Sequence, residues 1–157
     1  MCCTKNWFSI GAVMACIAVI TGAFGAHGLD KVLADLYFAT PAKTIAGLEV
    51  PATYKYLQDF KTAADYQMYH AFGLMIVGLL TLHHQKKSLQ IAAWSFLIGI
   101  ILFSGSLYIL VLTNQPKLGM ITPIGGVAFI IGWVALAIGG WSCTRKTLDP
   151  DPHDPRR

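Results

Sequence analysis

The chain has 157 residues, 55% hydrophobic and only 13% charged, about half the charged fraction of an ordinary soluble domain. Its mean hydropathy is +0.55. The net charge of +4 comes from basic residues set between apolar runs or at the chain ends, which argues against a nucleic-acid surface and for contact with lipid headgroups.

Four cysteines, at 2, 3, 16 and 143, show no CxxC or Cys/His spacing. Neither a disulfide framework nor a zinc site is indicated, and they read as small apolar residues. Cys2 and Cys3, next to an apolar run, are candidate lipid-attachment points.

From Asn6 to Leu29 there is no charge apart from any on His27, enough to cross a bilayer, which takes about 20 residues. Lys5 before this run also fits a signal peptide cleaved near Ala23-Phe24-Gly25. The run exceeds the usual signal core of roughly 7–15 residues, so a retained first span over 7–28 is expected. Gly11, Ala15, Ala18, Gly22 and Gly25 recur at spacings of 4, 3, 4 and 3, a stripe that lets a second helix approach closely. Gly28 is a natural helix stop.

Residues 30–65 form the one long polar stretch and read as an extramembrane loop. Pro41 and Pro51 discourage a continuous helix, and 30–50 is expected to be irregular. After Pro51, the spacing of Tyr54, Leu57, Phe60 or Lys61, and Ala64 predicts a short interfacial helix with Asp59, Lys61 and Asp65 on its wet side. The second apolar run, 66–84, is preceded by Thr62 and Asp65, a capping pattern that would start a new helix. His83, His84, Lys86 and Lys87 end it as a solvated turn.

The third span is expected over 89–113, closed by Asn114-Gln115-Pro116-Lys117. The fourth covers 122–143, with Thr122 as N-cap and Pro123 as first helical residue. Gly125, Ala128, Gly132, Ala135 and Gly139 repeat the small-residue stripe. Trp7 and Trp141 lie near span ends, where aromatic belts form. Residues 145–157, charged and proline-rich with no apolar face, read as disordered. The fold expected is therefore all-α: an integral membrane four-helix bundle with a long loop between its first two helices.

Four spans put both termini and the 85–88 turn on one side, with Lys5, Lys86, Lys87, Arg145 and Lys146. The positive-inside rule then makes that side cytoplasmic. The polar residues of the apolar segments gather toward the opposite, outer side. They are His27 in the first span, Tyr66, Gln67, Tyr69 and His70 in the second, Ser104, Ser106 and Tyr108 in the third, and Thr122 opening the fourth. With the membrane edge at Tyr66, His70 lies roughly 6 Å deep at 1.5 Å per residue. These nine residues are the candidate binding cluster, a polar pocket or hydrogen-bond network facing the bundle interior.

Intramembrane ionisable groups usually face a cavity or a partner. The bland alternative makes His70 a helix–helix hydrogen bonder, to Ser104 or Tyr108, and His27 a helix-end residue. Two histidines make an incomplete zinc site, and no cofactor or catalytic arrangement is indicated.

Gly22-Ala23-Phe24-Gly25-Ala26-His27-Gly28-Leu29, Tyr66-Gln67-Met68-Tyr69-His70-Ala71, Phe103-Ser104-Gly105-Ser106-Leu107-Tyr108 and Ile121-Thr122-Pro123-Ile124-Gly125-Gly126 together resemble the small YgdD-like membrane family, domain of unknown function 423, to which the transmembrane protein 256-like proteins are similar. The resemblance covers residues 7–141. It implies a bacterial inner-membrane protein of four helices and no established catalytic residue. The segment from Tyr37 to Ala52 is longer than the family's usual loop, and the tail is private to this chain.

The reading that results is a non-enzymatic membrane protein whose outer cluster binds a lipid, small amphiphile or partner helix. A small channel or transporter, oligomerised through the glycine stripes, is the runner-up. A metal- or haem-binding redox subunit using His27 and His70 is the third. The partners expected are membrane lipids, with a second copy or another membrane protein as further candidates.

Overall fold

The computed structural model describes residues 6–148, with side chains as far as Trp141. Cys2, Cys3, Lys5, the Cys143 side chain and residues 149–157 of the tail lie outside the described residues. Six α-helices and one small hairpin follow in order: α1 Trp7–His27, α2 Leu29–Leu36, β1 Lys43–Ile45, β2 Leu48–Val50, α3 Ala52–His83, α4 Lys87–Gly99, α5 Ser106–Thr113 and α6 Thr122–Leu148. A π-helical segment, Ile100–Gly105, joins α4 to α5 without a break. Three stretches are long and apolar enough to cross a membrane: Trp7–His27, Lys87–Thr113 and Pro116–Trp141. The 32-residue α3 is not among them, because Tyr66, Gln67, Tyr69 and His70 interrupt its apolar run.

α1 starts where Asn6 accepts a hydrogen bond from the Ser9 backbone N–H at 3.2 Å, satisfying one otherwise unpaired donor of the first turn. It then runs antiparallel along α3. A Cβ on Gly11 would stand 2.7 Å from the Ala71 carbonyl oxygen and 2.9 Å from the Met75 nitrogen. At the other end, one on Gly25 would meet the Phe60 ring at 3.0 Å. The α1 stripe is thus spent inside the chain, where contact without a side chain lets the backbones approach. The α6 stripe is spent in the same way against α4 and the π segment: Gly125 faces Phe103, Gly132 faces Phe96 and Gly139 faces Leu89. Between these pairs lies a core of Trp7, Leu74, Val77, Leu89, Phe96 and Phe129. Both stripes are therefore occupied by contacts within the chain.

Several expectations between residues 28 and 66 are corrected. Residues 30–50 are ordered: Gly28 ends α1, α2 follows at once, and a two-residue turn closes the hairpin. Ala46 at φ 51° and Gly47 at φ 83° form that turn, pairing Ile45 with Leu48 in the arrangement whose twist suits two-residue hairpins. The interfacial helix and the second span are one continuous helix, with Thr62 and Asp65 inside it rather than capping it. Pro51 precedes the helix, where its missing N–H costs nothing. The buried face after Pro51 is Ala52, Tyr56, Phe60 and Ala63, while Tyr54 is exposed.

This first part of α3 extends past the end of α1 and is covered by Leu29, Leu33 and Tyr37. Tyr37 stacks on Tyr56 with ring centroids 4.2 Å apart and donates to the Val111 carbonyl at 3.0 Å, one of the last carbonyls of α5 that helix geometry leaves without a partner. Burial first, then the negative charges of an ionised Tyr56 and of Asp59, pushes the Tyr37 hydroxyl up to about 12. Lys55 and Asp59 form an ion pair one turn apart.

Elsewhere, α6 runs to Leu148, so the first four residues of the tail expected to be disordered are helical. Trp7 is not a lipid-facing belt residue but is 1% exposed, and it donates to Gln90 at 3.1 Å. Cys16 is exposed on α1 rather than buried. Asn114 takes the left-handed conformation, φ 50°, that ends α5, a role asparagine fills more readily than most residues.

Candidate functional site: a groove between α3 and α6

The nine candidate residues do not form one cluster. Gln67 and Tyr108 join an interior chain of hydrogen bonds. Thr21 on α1 lies 2.9 Å from the Tyr108 hydroxyl, Tyr108 donates to Gln67 Oε1 at 3.0 Å, and Gln67 Nε2 donates to the Met14 carbonyl at 2.9 Å. The carbonyl can only accept, so it fixes the Gln67 amide. Gln67 Oε1 can only accept as well, so the single Tyr108 proton is committed to it. Thr21 Oγ1 also lies 3.1 Å from the Ile17 and Ala18 carbonyls, so its single proton has three acceptors within reach. The contacts link α1 through α5 and α3 back to α1, with both ends of the Gln67 amide paired. Thr21 was missed by the sequence reading, although it is the one hydroxyl in the second half of α1 and falls between Ala18 and Gly25 on the packed face.

Ser106 donates to the Phe103 carbonyl at 3.0 Å and lies 2.9 Å from Thr122 Oγ1. With its own proton used, Ser106 accepts from Thr122, tying the start of α6 to α5. Thr122 is therefore inside the helix and not its N-cap: the Ile121 carbonyl accepts the first bonds, from Ile124 and Gly125. Ser104 is wholly buried, and its hydroxyl has no partner among the described residues. His27 is exposed at the end of α1. Gly25 is level with Phe60, and ten residues of helix separate that level from His70, about 15 Å at 1.5 Å per residue. The two histidines do not meet. No group of three His, Cys, Asp or Glu side chains gathers anywhere among the described residues.

His70, one turn beyond Gln67 on α3, faces α6 rather than the interior chain. Its ring is 5% exposed and stacks on Phe129 of α6, with centroids 3.3 Å apart and planes 8° from parallel. Its Nδ1 is 2.6 Å from the Tyr66 carbonyl, not bonded to Ser104 or Tyr108 as expected. Because the carbonyl must accept, Nδ1 carries the proton of the neutral ring and Nε2 bears the lone pair. Among the described residues Nε2 has no hydrogen-bond partner.

His70 lines an open groove of about 690 Å³ between α3 and α6, walled by Tyr66, Phe103, Phe129 and Trp133. Tyr66 stacks on Phe103 at 4.7 Å and 18°. Tyr69 stands exposed at the groove's edge. Phe103 and Ser104, adjacent in the π segment, point in different directions, Phe103 to the groove and Ser104 to the interior. The aromatic walls were not identified from sequence: Phe103, Phe129 and Trp133 read there as ordinary apolar residues of two different spans.

Residues 21–126 match the family described as a protein of unknown function, DUF423. The chain belongs to this family. A UPF0382 membrane protein of Staphylococcus epidermidis is 43% identical over 134 residues, 85% of this chain and 93% of that one. The UPF0382 membrane protein YwdK of Bacillus subtilis is 42% identical over 135 residues, 85% of this chain and 94% of that one. One from a bovine strain of Staphylococcus aureus is 44% identical over 134 residues, with 85% and 93% covered. No solved structure matches the chain. The family match takes in Thr21, the α3 polar stretch, the π segment and the start of α6, and it ends at Gly126 on the rim of the groove. The chain is thus a membrane protein of a family whose names assign no activity.

Proposed function

We propose that this protein is a four-span helical protein of the bacterial plasma membrane, with cytoplasmic termini, and that the α3–α6 groove holds a lipid or small amphiphile. α3 supplies the fourth span through its second half. The observation that carries the reading is a largely buried histidine on the wall of an open aromatic groove, whose Nε2 has no protein partner among the described residues but is not sealed off from the surface. A bound donor would give that nitrogen a hydrogen bond, worth about 0.5–1.5 kcal/mol net.

The groove's position supports the same reading. Along the exposed face of α3, Gln58, Lys61, Thr62 and Asp65 give way at Tyr66 and Tyr69 to Phe72, Ile76 and Leu79. That is the change from headgroup to hydrocarbon, and aromatic side chains favour the boundary. The exposed face of α6 beside the groove is Val127, Ile130 and Ile131, suited to a hydrocarbon tail. A channel through one copy has less support, because side chains fill the space between the helices.

Gly126 offers a clean test. A Cβ there meets nothing nearer than Phe103 at 3.9 Å, so Gly126→Leu fills the groove without displacing backbone. Native mass spectrometry of gently extracted protein should show a retained amphiphile on the wild type and none on Gly126→Leu. A bare wild type, or an adduct that survives in the variant, would remove the groove from consideration. Topology is checked separately with single cysteines at Leu48 and Lys86 and a membrane-impermeant thiol reagent on intact cells: Leu48→Cys should label and Lys86→Cys should not.

A further inference from the structure

Resting on that reading, we infer that the ligand is a lipid-soluble aromatic alcohol, a hydroxylated ring bearing a hydrocarbon tail, whose hydroxyl donates to His70 Nε2. Three observations narrow the class. The Tyr66 carbonyl fixes the tautomer, so His70 offers a lone pair and selects a donor over an acceptor. A fatty-acyl chain or a carbonyl-headed ring would leave that lone pair unmet. Second, the walls are paired flat rings: His70 on Phe129, planes 8° apart, and Tyr66 on Phe103, 18° apart. Aromatic faces meet a planar ring by offset stacking or edge contact more favourably than they meet a flexible chain of equal area. Third, the groove opens beside the exposed apolar face of α6, so a tail can stay in the bilayer while the ring enters.

His70 acts here as a hydrogen-bond acceptor at the site, and stacking on Phe129 holds its ring in place. Removing the nitrogen while keeping a flat ring should therefore abolish selectivity for the hydroxyl without abolishing ring binding.

The experiment uses the full chain in lipid nanodiscs and two probes, 2-decylhydroquinone and its dimethyl ether, in which each O–H donor is replaced by a methoxy group. The wild type should bind the hydroquinone about tenfold more tightly, the factor expected of one net hydrogen bond. His70→Phe should bind both probes equally, at the wild-type affinity for the ether, and Gly126→Leu should bind neither. If His70→Phe fails to fold, the wild-type preference still tests the bond. The ¹⁵N resonance of His70 Nε2 should then move with the hydroquinone and stay fixed with the ether. Equal wild-type affinity for the two probes, abolished by Gly126→Leu, overturns this inference and leaves the groove as an amphiphile site. A wild type that binds neither probe yet retains a native lipid overturns the aromatic alcohol alone. A wild type with neither probe nor retained lipid overturns both readings.

Discussion

The two sides of α3 use the same kinds of residue to opposite ends. Toward α1, small residues bring the backbones together, and Gln67 sits in the seam with both ends of its amide paired. Toward α6, rings hold the helices apart, and His70 keeps one nitrogen without a partner. A polar group in a span is locked when the neighbouring backbone can reach it. It is left available when bulky side chains set the spacing. The first side has the geometry of a structural joint, the second that of a binding site.

The comparison breaks most directly at the joint. Gly11→Val places a side chain against the Ala71 carbonyl and the Met75 nitrogen, neither of which can move without moving α3. It should destabilise the protein by about 3 kcal/mol, the upper end of ordinary overpacking, read from unfolding by SDS in mixed micelles. Gly126→Leu, on the groove, should change the same transition by less than about 0.5 kcal/mol. Similar losses for the two would mean that the groove is no roomier than the joint.

A smaller effect is expected from Gln67→Leu, which leaves the Tyr108 hydroxyl without its acceptor. The loss should be about 1–2 kcal/mol, as for other hydrogen bonds between membrane helices. Thr21→Val added to it should cost little more, because the chain is already cut. Full additivity would show that Thr21 and Gln67 act independently.

The smallest effect concerns the Tyr37 end of the molecule. Tyr37→Phe removes the bond to Val111 and should cost about 1 kcal/mol near neutral pH. The hydroxyl, near 10 in an unfolded chain, is held up at about 12 in the fold. The folded form therefore keeps its proton where the unfolded form has lost it, so stability is full below pH 10 and falls as pH rises toward 12. The slope is at most about 1.4 kcal/mol per pH unit. In Tyr37→Phe that part of the alkaline slope should disappear from an unfolding series, while a slope equal to wild type would assign it to other groups.

Much of the helical plan was legible because the apolar runs are long and their ends carry strong signals. α1 runs from Trp7 to His27 and stops at Gly28, and the chain turns at Asn114, near the boundaries that composition and spacing imply. The short features after Gly28 were missed for different reasons. Leu29, Val32, Leu33 and Leu36 follow helical spacing, but over only eight residues of a polar stretch read as loop, and the hairpin turns on Ala46 at positive φ, which no alanine advertises. The continuity of α3 through residues 60–66 was also hidden. Thr62 and Asp65 satisfy a capping pattern equally well inside a helix, and only packing against α1 and α2 decides that the helix continues.

The candidate site divides in the same way. The sequence by itself determined that polar side chains would occupy otherwise apolar helices, and that two small-residue stripes would bring helices into contact. Those properties follow from residue type and helical period, which are local. Only the tertiary structure decided which polar groups are paired. Gln67 and His70 are three residues apart on one helix, yet one meets the Met14 carbonyl of α1 and the other the Phe129 ring of α6. Their partners lie more than fifty residues away along the chain. Whether a buried polar atom is satisfied depends on what stands across the interface, and no local pattern carries that information.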